Sequence, residues 1–156
     1  MTTYRLLLVA GLALALLAVA LRLLHARTTP GVVADAVRTP GVLNPDVTQA
    51  TIAATICVRG WTRTIRPPTS YTDLLKRRQL REYGLLGSPS RYQEDHLISL
   101  ELGGHPTDPR NLWPEPYPRA SRVDAIENEL NAAVCGGTLT LDEAQRRESA
   151  LKHSSG

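Results

Sequence analysis

Asp95 and His96 stand side by side in YQEDHLISLELGGHPTDPRNLWPEP (residues 92–116), with Gly103-Gly104 and Asn111-Leu112 behind them. A carboxylate is a hard oxygen donor suited to a divalent cation. An imidazole titrates near neutrality and can take a proton from water. A cation that neutralises a phosphate, beside a base that makes hydroxide, is the minimum apparatus for cutting a phosphodiester. Neighbours on an ideal strand point to opposite faces, so these two serve one site only at a strand end, where the pleat is irregular. The Gly pair marks a sharp turn, and such a turn forms without any catalytic task. An Asp-His pair can likewise do no more than cap a turn and bond a loop carbonyl. His105, within the turn, reads as a loop residue.

The elements that must position these groups follow from patterning. TIAATICVRGWTRTIRPP (51–68) is rich in β-branched residues and ends at Pro-Pro, which predicts a short strand and then an extended segment. Residues 70–84 predict a helix, with a cap-like Ser70, a leucine-rich body and a closing Gly84. DHLISLEL predicts a strand, GGHPTDP a turn, and NLW a second short strand. Residues 121–135 predict an amphipathic helix with Val123, Ile126, Leu130, Ala133 and Val134 on one face and Gly136-Gly137 at its end. LDEAQRRESALK predicts a last helix after Thr140. With no Phe in the chain, the expected core is Leu, Ile and Val with Trp61 and Trp113.

Upstream the composition changes. Leu6 to Leu21 is an unbroken run of 16 apolar residues. That is short for a relaxed membrane span and long enough for the core of a signal peptide. Residues 1–26 therefore read as a signal peptide or an uncleaved membrane anchor. Residues 27–50, with Thr-Pro-Gly twice and Asn-Pro once, read as a linker with little fixed structure. Residues 51–152 are left as the folded domain. Cys57 and Cys135 are the only cysteines, and in an exported chain such a pair predicts a disulfide. The expected location is exported: periplasmic, extracellular or membrane-anchored, with the membrane as partner if the leader stays attached.

The order Asp95-His96-Leu97-Ile98, Gly103-Gly104, Asn111-Leu112 resembles the HNH (His-Me finger) nuclease motif. His96 and Asn111 are separated by 15 positions, a spacing typical of that hairpin. Over about residues 51–146 the chain is also similar to small, often exported bacterial HNH-type proteins. The resemblance implies an α+β fold, a small ββα-metal domain with flanking helices, here preceded by the hydrophobic leader. It implies His96 as general base, Asp95 as metal ligand and Asn111 as the brace of the loop that carries the base. The implied cofactor is a divalent ion, Mg²⁺ or Mn²⁺ first, with Zn²⁺ or Ni²⁺ as further options, and the implied substrate is DNA or RNA.

The chain departs from that family after Asn111-Leu112, where WPEPYPRASR replaces a Cys-x-x-Cys-His type of segment. Ser99 also stands where Pro is expected. The third metal residue must then come from the helix. Asp124, Glu127 and Asn128 share one side of it, with Asn128 the nearest analogue of the family's third residue and Glu127 next. Such a triplet also suits an ordinary solvated face.

Without residues 1–26, which carry Arg5 and Arg22 and no acid, the chain holds 16 basic and 15 acidic side chains, a balance of +1. Charge is concentrated instead. Arg59, Arg63, Arg66, Lys76, Arg77, Arg78 and Arg81 share a 23-residue stretch with a single acid, Asp73, and with Trp61 and Tyr71 interleaved. Such a segment suits phosphate contact and base stacking; a solvated helix face is its ordinary alternative. Two functions follow as expectations. One is a metal-dependent HNH-type endonuclease. The other is a catalytically degenerate module of the same fold that binds a nucleic acid or protein partner at the envelope. A zinc hydrolase built on clustered histidines is disfavoured, because no His-x-x-x-His is present.

Overall fold

The computed structural model describes residues 32–154. The leader expected over 1–26 lies outside them. Among the described residues no helix is long and apolar enough to cross a membrane.

In chain order, a single 3-10 turn at Ile52–Ala54 leads to α1 (Trp61–Ile65) and α2 (Thr69–Glu82). Strand β1 (Tyr92–His96) follows, then a buried loop, then β2 (Leu112–Pro116), α3 (Arg119–Cys135) and α4 (Leu141–Lys152). β1 and β2 pair antiparallel, with Tyr92 opposite Pro116, Asp95 opposite Trp113 and His96 opposite Leu112. The class is therefore α+β, with a two-stranded hairpin and helices around it. α2 and α3 both pack on the hairpin, and α4 packs on α3.

The helices form where the apolar periodicity asks for them. α2 turns Leu75, Gln79 and Leu80 inward. Gln79 uses its amide to donate to the carbonyls of Pro109 and Leu112 at 3.0 and 2.8 Å, which fixes α2 to β2. α3 buries Ala120, Val123, Glu127 and Val134. Ile126, expected on its apolar face, stays exposed. α4 begins at a Thr140 side chain that accepts from the Glu143 amide, an ordinary N-cap.

Three expectations are corrected. The strand predicted over 95–102 ends at His96, and Leu97–Leu102 form a bend and a 3-10 turn. The apolar side chains there are buried as a strand's would be. Their backbone is satisfied differently: Asn111 takes the Ile98 amide and carbonyl, and Glu148 takes the Ser99 amide. Residues 51–60 carry no strand either, and the segment expected to run extended after them forms α1 at Trp61–Ile65. Thr51 Oγ1 donates to the Asp46 carbonyl and Thr55 Oγ1 to the Thr51 carbonyl, both at 2.8 Å, so side chains close local turns in place of a ladder.

The third correction concerns residues 32–50. They lack regular structure, as a linker should, yet they are packed. Ala34, Thr39, Asn44 and Val47 are buried. Leu43 bridges to Gly104, the Asn44 amide donates to the Gly103 carbonyl, and the Ala34 amide donates to the Lys152 carbonyl. Residues from Val32 onward thus form one compact unit.

Val47 joins Ile56, Ile98, Leu102, Val134, Leu141 and Ala144 in the larger core cluster, with Trp61 half-buried against it. Ala34, Leu97 and Trp113 make the smaller one. Trp113 is fully enclosed, with the Arg119 guanidinium 5.6 Å from its ring centre. Cys57 and Cys135 are joined in a disulfide spanning 78 residues, which ties the segment before α1 to the end of α3.

Candidate metal and base site

Alternation along β1 directs Gln93 and Asp95 to one face and Glu94 and His96 to the other. The Asp95 face meets α3 and α4. There, oxygens of Asp95, Asp124 and Glu127 lie within 4.8 Å of one another. The structure thus gathers Glu127 and Asp124 to Asp95. Asn128 is placed elsewhere: it is exposed, and its amide donates back to the Asp124 carbonyl at 2.7 Å within the same helix.

The cluster carries its own cation. Lys152, fully buried at the end of α4, donates to Asp95 Oδ2 at 2.8 Å, Glu127 Oε1 at 2.6 Å and the His96 carbonyl at 2.5 Å. Glu148 Oε1 lies 3.3 Å from the same nitrogen. Burial opposes the ionisation of Asp95, but the Lys152 charge and its hydrogen bonds hold that carboxyl below its ordinary range. Glu127 behaves oppositely. Burial, with Asp95 and Glu148 nearby, pushes it up to about 9 in spite of Lys152. Asp124 is raised by burial and then by Asp95. Glu115, on the same sheet face and paired with Arg119, is pushed up to about 8 by burial and by Asp95. One ammonium cannot keep this many buried carboxylates ionised, so the cluster retains protons.

These donors fit a hard divalent ion: all are carboxylate oxygens, close together, and short of positive charge. Sequence patterning reached Asp95, Asp124 and Glu127. It missed Lys152 and Glu148, which read as ordinary polar positions of an exposed helix, since only the tertiary packing of α4 buries them.

His96 leaves the strand at the other side. Its Nε2 lies 3.0 Å from the Pro106 carbonyl. A carbonyl only accepts, so Nε2 carries the hydrogen and Nδ1 keeps a lone pair. Burial lowers the imidazole below its ordinary value, against the Pro106 hydrogen bond and the Asp95 charge that favour the cation. The ring is neutral at pH 7 and able to accept a proton.

Asn111 closes the loop between the strands. Fully buried, it accepts from the Ile98 amide and donates to the Ile98 and His105 carbonyls, each at 3.0 Å. Gly104 makes this possible, because a Cβ there would fall 1.7 Å from the Ile98 carbonyl oxygen and 2.6 Å from Asn111 Nδ2. His105 uses Nδ1 to accept the Thr107 and Asp108 amides, a loop role as expected.

The basic residues divide. Arg66 follows α1, is exposed, and its charge acts on both His96 and Asp124. Arg59 and Arg63 are exposed nearby in sequence. Lys76 is half-buried against Asp73, and Arg78 pairs with Glu82. Arg77 and Arg78 instead line a cavity of about 460 Å³ with Tyr71, Leu74, Arg81 and Pro109. Trp61 packs half-buried against the core, and the Tyr71 hydroxyl donates to the Thr107 carbonyl. No family model, curated protein or solved structure matches this chain.

Proposed function

We propose that the protein is a metal-dependent, HNH-type phosphodiesterase acting on DNA or RNA, exported or held at the outer face of a membrane. The observation that carries this reading is a hairpin and following helix that gather Asp95, Asp124 and Glu127 beside the end of β1, where His96 is the next residue in the chain. Asp95, Asp124 and Glu127 would hold the divalent ion, Mg²⁺ or Mn²⁺, which when bound supplies positive charge to the phosphate and the leaving oxygen. Nδ1 of His96 takes the proton of the attacking water, and the bond from phosphorus to one ester oxygen breaks. Arg66 offers its charge to the phosphate. Asn111 keeps the 97–105 loop, and with it the His96 backbone, in place. The Cys57–Cys135 disulfide supports an oxidising compartment.

A second reading is favoured by Lys152. It already bonds two of the three carboxylates, as a module that has given up its metal would. Digestion of plasmid and RNA by the oxidised protein decides. Cutting with Mg²⁺ or Mn²⁺ that stops with EDTA and falls at least about 100-fold in His96→Ala is expected. Because burial lowers the His96 pKa, the rate at saturating metal should stay flat from pH 8 down to about 6.5 and drop only below it. No cutting with any metal, from folded protein, would leave the binding module.

A further inference from the structure

An ammonium with no solvent exposure is costly to bury, by several kcal/mol after relaxation. Lys152 bears that cost at one particular place. Its three N–H donors are matched by three oxygens at 2.5–2.8 Å, from Asp95, Glu127 and the His96 carbonyl. These belong to the strand end and to α3, so one side chain on α4 fixes both walls of the carboxylate cluster and the backbone that bears the base.

The hydrogen bonds also have a direction. Lys152 takes Oδ2 of Asp95 and Oε1 of Glu127. The Asp95 carboxyl also has a long contact, 3.4 Å, with the Gln93 amide and reaches Glu115, and the Glu127 carboxyl reaches that of Glu148. Asp124, which completes the trio, is half-buried and more open than Asp95. The ammonium therefore fills the inner side of the cluster, and the more open Asp124 stands on its outer side.

Nor is Lys152 on a loose end. Its carbonyl accepts from the Ala34 amide at 3.0 Å, the Leu151 carbonyl from Arg119 at 2.7 Å, and His153 Nε2 reaches the Thr39 carbonyl at 3.0 Å. Glu148, one turn back, is held by the Ser99 amide at 2.9 Å.

Resting on the metal-site reading above, we propose that Lys152 is the positioning residue of that site: it orients Asp95 and Glu127 from behind, so that they and Asp124 can hold the divalent ion together. Lys152 stays in place when the metal binds. Outer contacts of this kind set ligand direction in metal sites and change affinity about 10- to 100-fold when lost.

Mn²⁺ titration followed by EPR tests this on the full, oxidised chain. Wild type is expected to bind one Mn²⁺, and Asp95→Asn to lose it. Lys152→Met is expected to weaken binding at least 10-fold. Lys152→Met/Glu148→Gln, which removes one positive and one negative charge together, should do the same and covers the case in which the single variant does not fold. Leu141→Ala, a core change of comparable destabilisation, should bind as wild type. In unaltered protein, the slowly exchanging Lys152 Nζ–H resonance should persist when Mg²⁺ is added. Tighter Mn²⁺ binding in a Lys152 variant, or loss of that resonance with Mg²⁺, would mean that lysine competes with the metal and would overturn the proposal. Unchanged affinity would reduce Lys152 to a structural residue. A wild type that binds no Mn²⁺ would instead remove the metal-site reading itself.

Discussion

Neither carboxylate oxygen of Glu94 has a hydrogen-bond partner, although both are closed off from solvent on the face of β1 that α2 covers. Asp95, one residue on, is more deeply buried but faces Lys152. The pleat alone separates them, and their carboxyls move in opposite directions. Asp95 is held low, whereas burial pushes Glu94 up to about 8, with Lys76 opposing and Asp95 adding to the shift. The consequence for stability has a definite sign. Below the unfolded value, near 4.5, Glu94 is protonated in both states and costs nothing. As pH rises towards 8 the unfolded chain releases the proton more readily than the folded one, so stability is lost. Glu94→Gln removes this dependence. It should gain on the order of 2–4 kcal/mol over wild type at pH 8 and almost nothing at pH 4.5. Thermal unfolding at pH 4.5, 6 and 8 measures it, and a difference that does not change with pH would mean that Glu94 is ionised in the fold without penalty.

The loop between β1 and β2 shows what an element requires beyond its hydrophobic pattern. Leu97, Ile98, Leu100 and Leu102 are all buried, and a continuous apolar run of this length reads equally as a strand. Among the described residues no strand pairs with it. Asn111 stands in for one, and its three hydrogen bonds serve two buried backbone groups and one partly buried group. Asn111→Ala should cost roughly 3–5 kcal/mol, since each orphaned group carries a desolvation penalty of about 1–3 kcal/mol. Urea unfolding at neutral pH checks this, and a loss below 1 kcal/mol would mean that water replaces the amide. The Gly-Gly turn was legible because glycine is the residue a sharp turn and a close backbone approach demand, whereas the bracing role of Asn111 came only from the resemblance of the hairpin to the HNH motif. The three longer helices were legible too, to within two residues of their starts, from periodicity and from Thr140 and Gly136. Residues 51–60 were not. Their β-branched threonines favour a strand in isolation, but the hydroxyls find backbone partners at once. Lys152 was out of reach for a related reason: nothing in LDEAQRRESALK says that α4 ends inside the molecule.

At the scale of the whole molecule, residues 32–50 bind the unit together without any regular element. Val47 fills the larger core cluster and Ala34 the smaller. The same segment supplies amides to the carbonyls of Gly103, Arg110 and Lys152. Fully burying a side chain of valine's size stabilises by about 1.5–3 kcal/mol, and a typical hydrogen bond adds about 1 kcal/mol net. Together they approach the roughly 4 kcal/mol that a disulfide closing a 78-residue span contributes in the chain-entropy model. A chain beginning at Thr51 should therefore melt at least 10 °C below one beginning at Val32, with Cys57–Cys135 intact in both. Equal melting temperatures would mean that the segment rests on the domain without supporting it. The comparison also reaches the site. The Ala34 amide holds the carbonyl of Lys152, so the shorter chain should bind Mn²⁺ more weakly even at a temperature where it is fully folded. If it binds as tightly as the longer one, the ammonium is held by its carboxylates alone, and the amino-terminal segment contributes to stability without reaching the metal ligands.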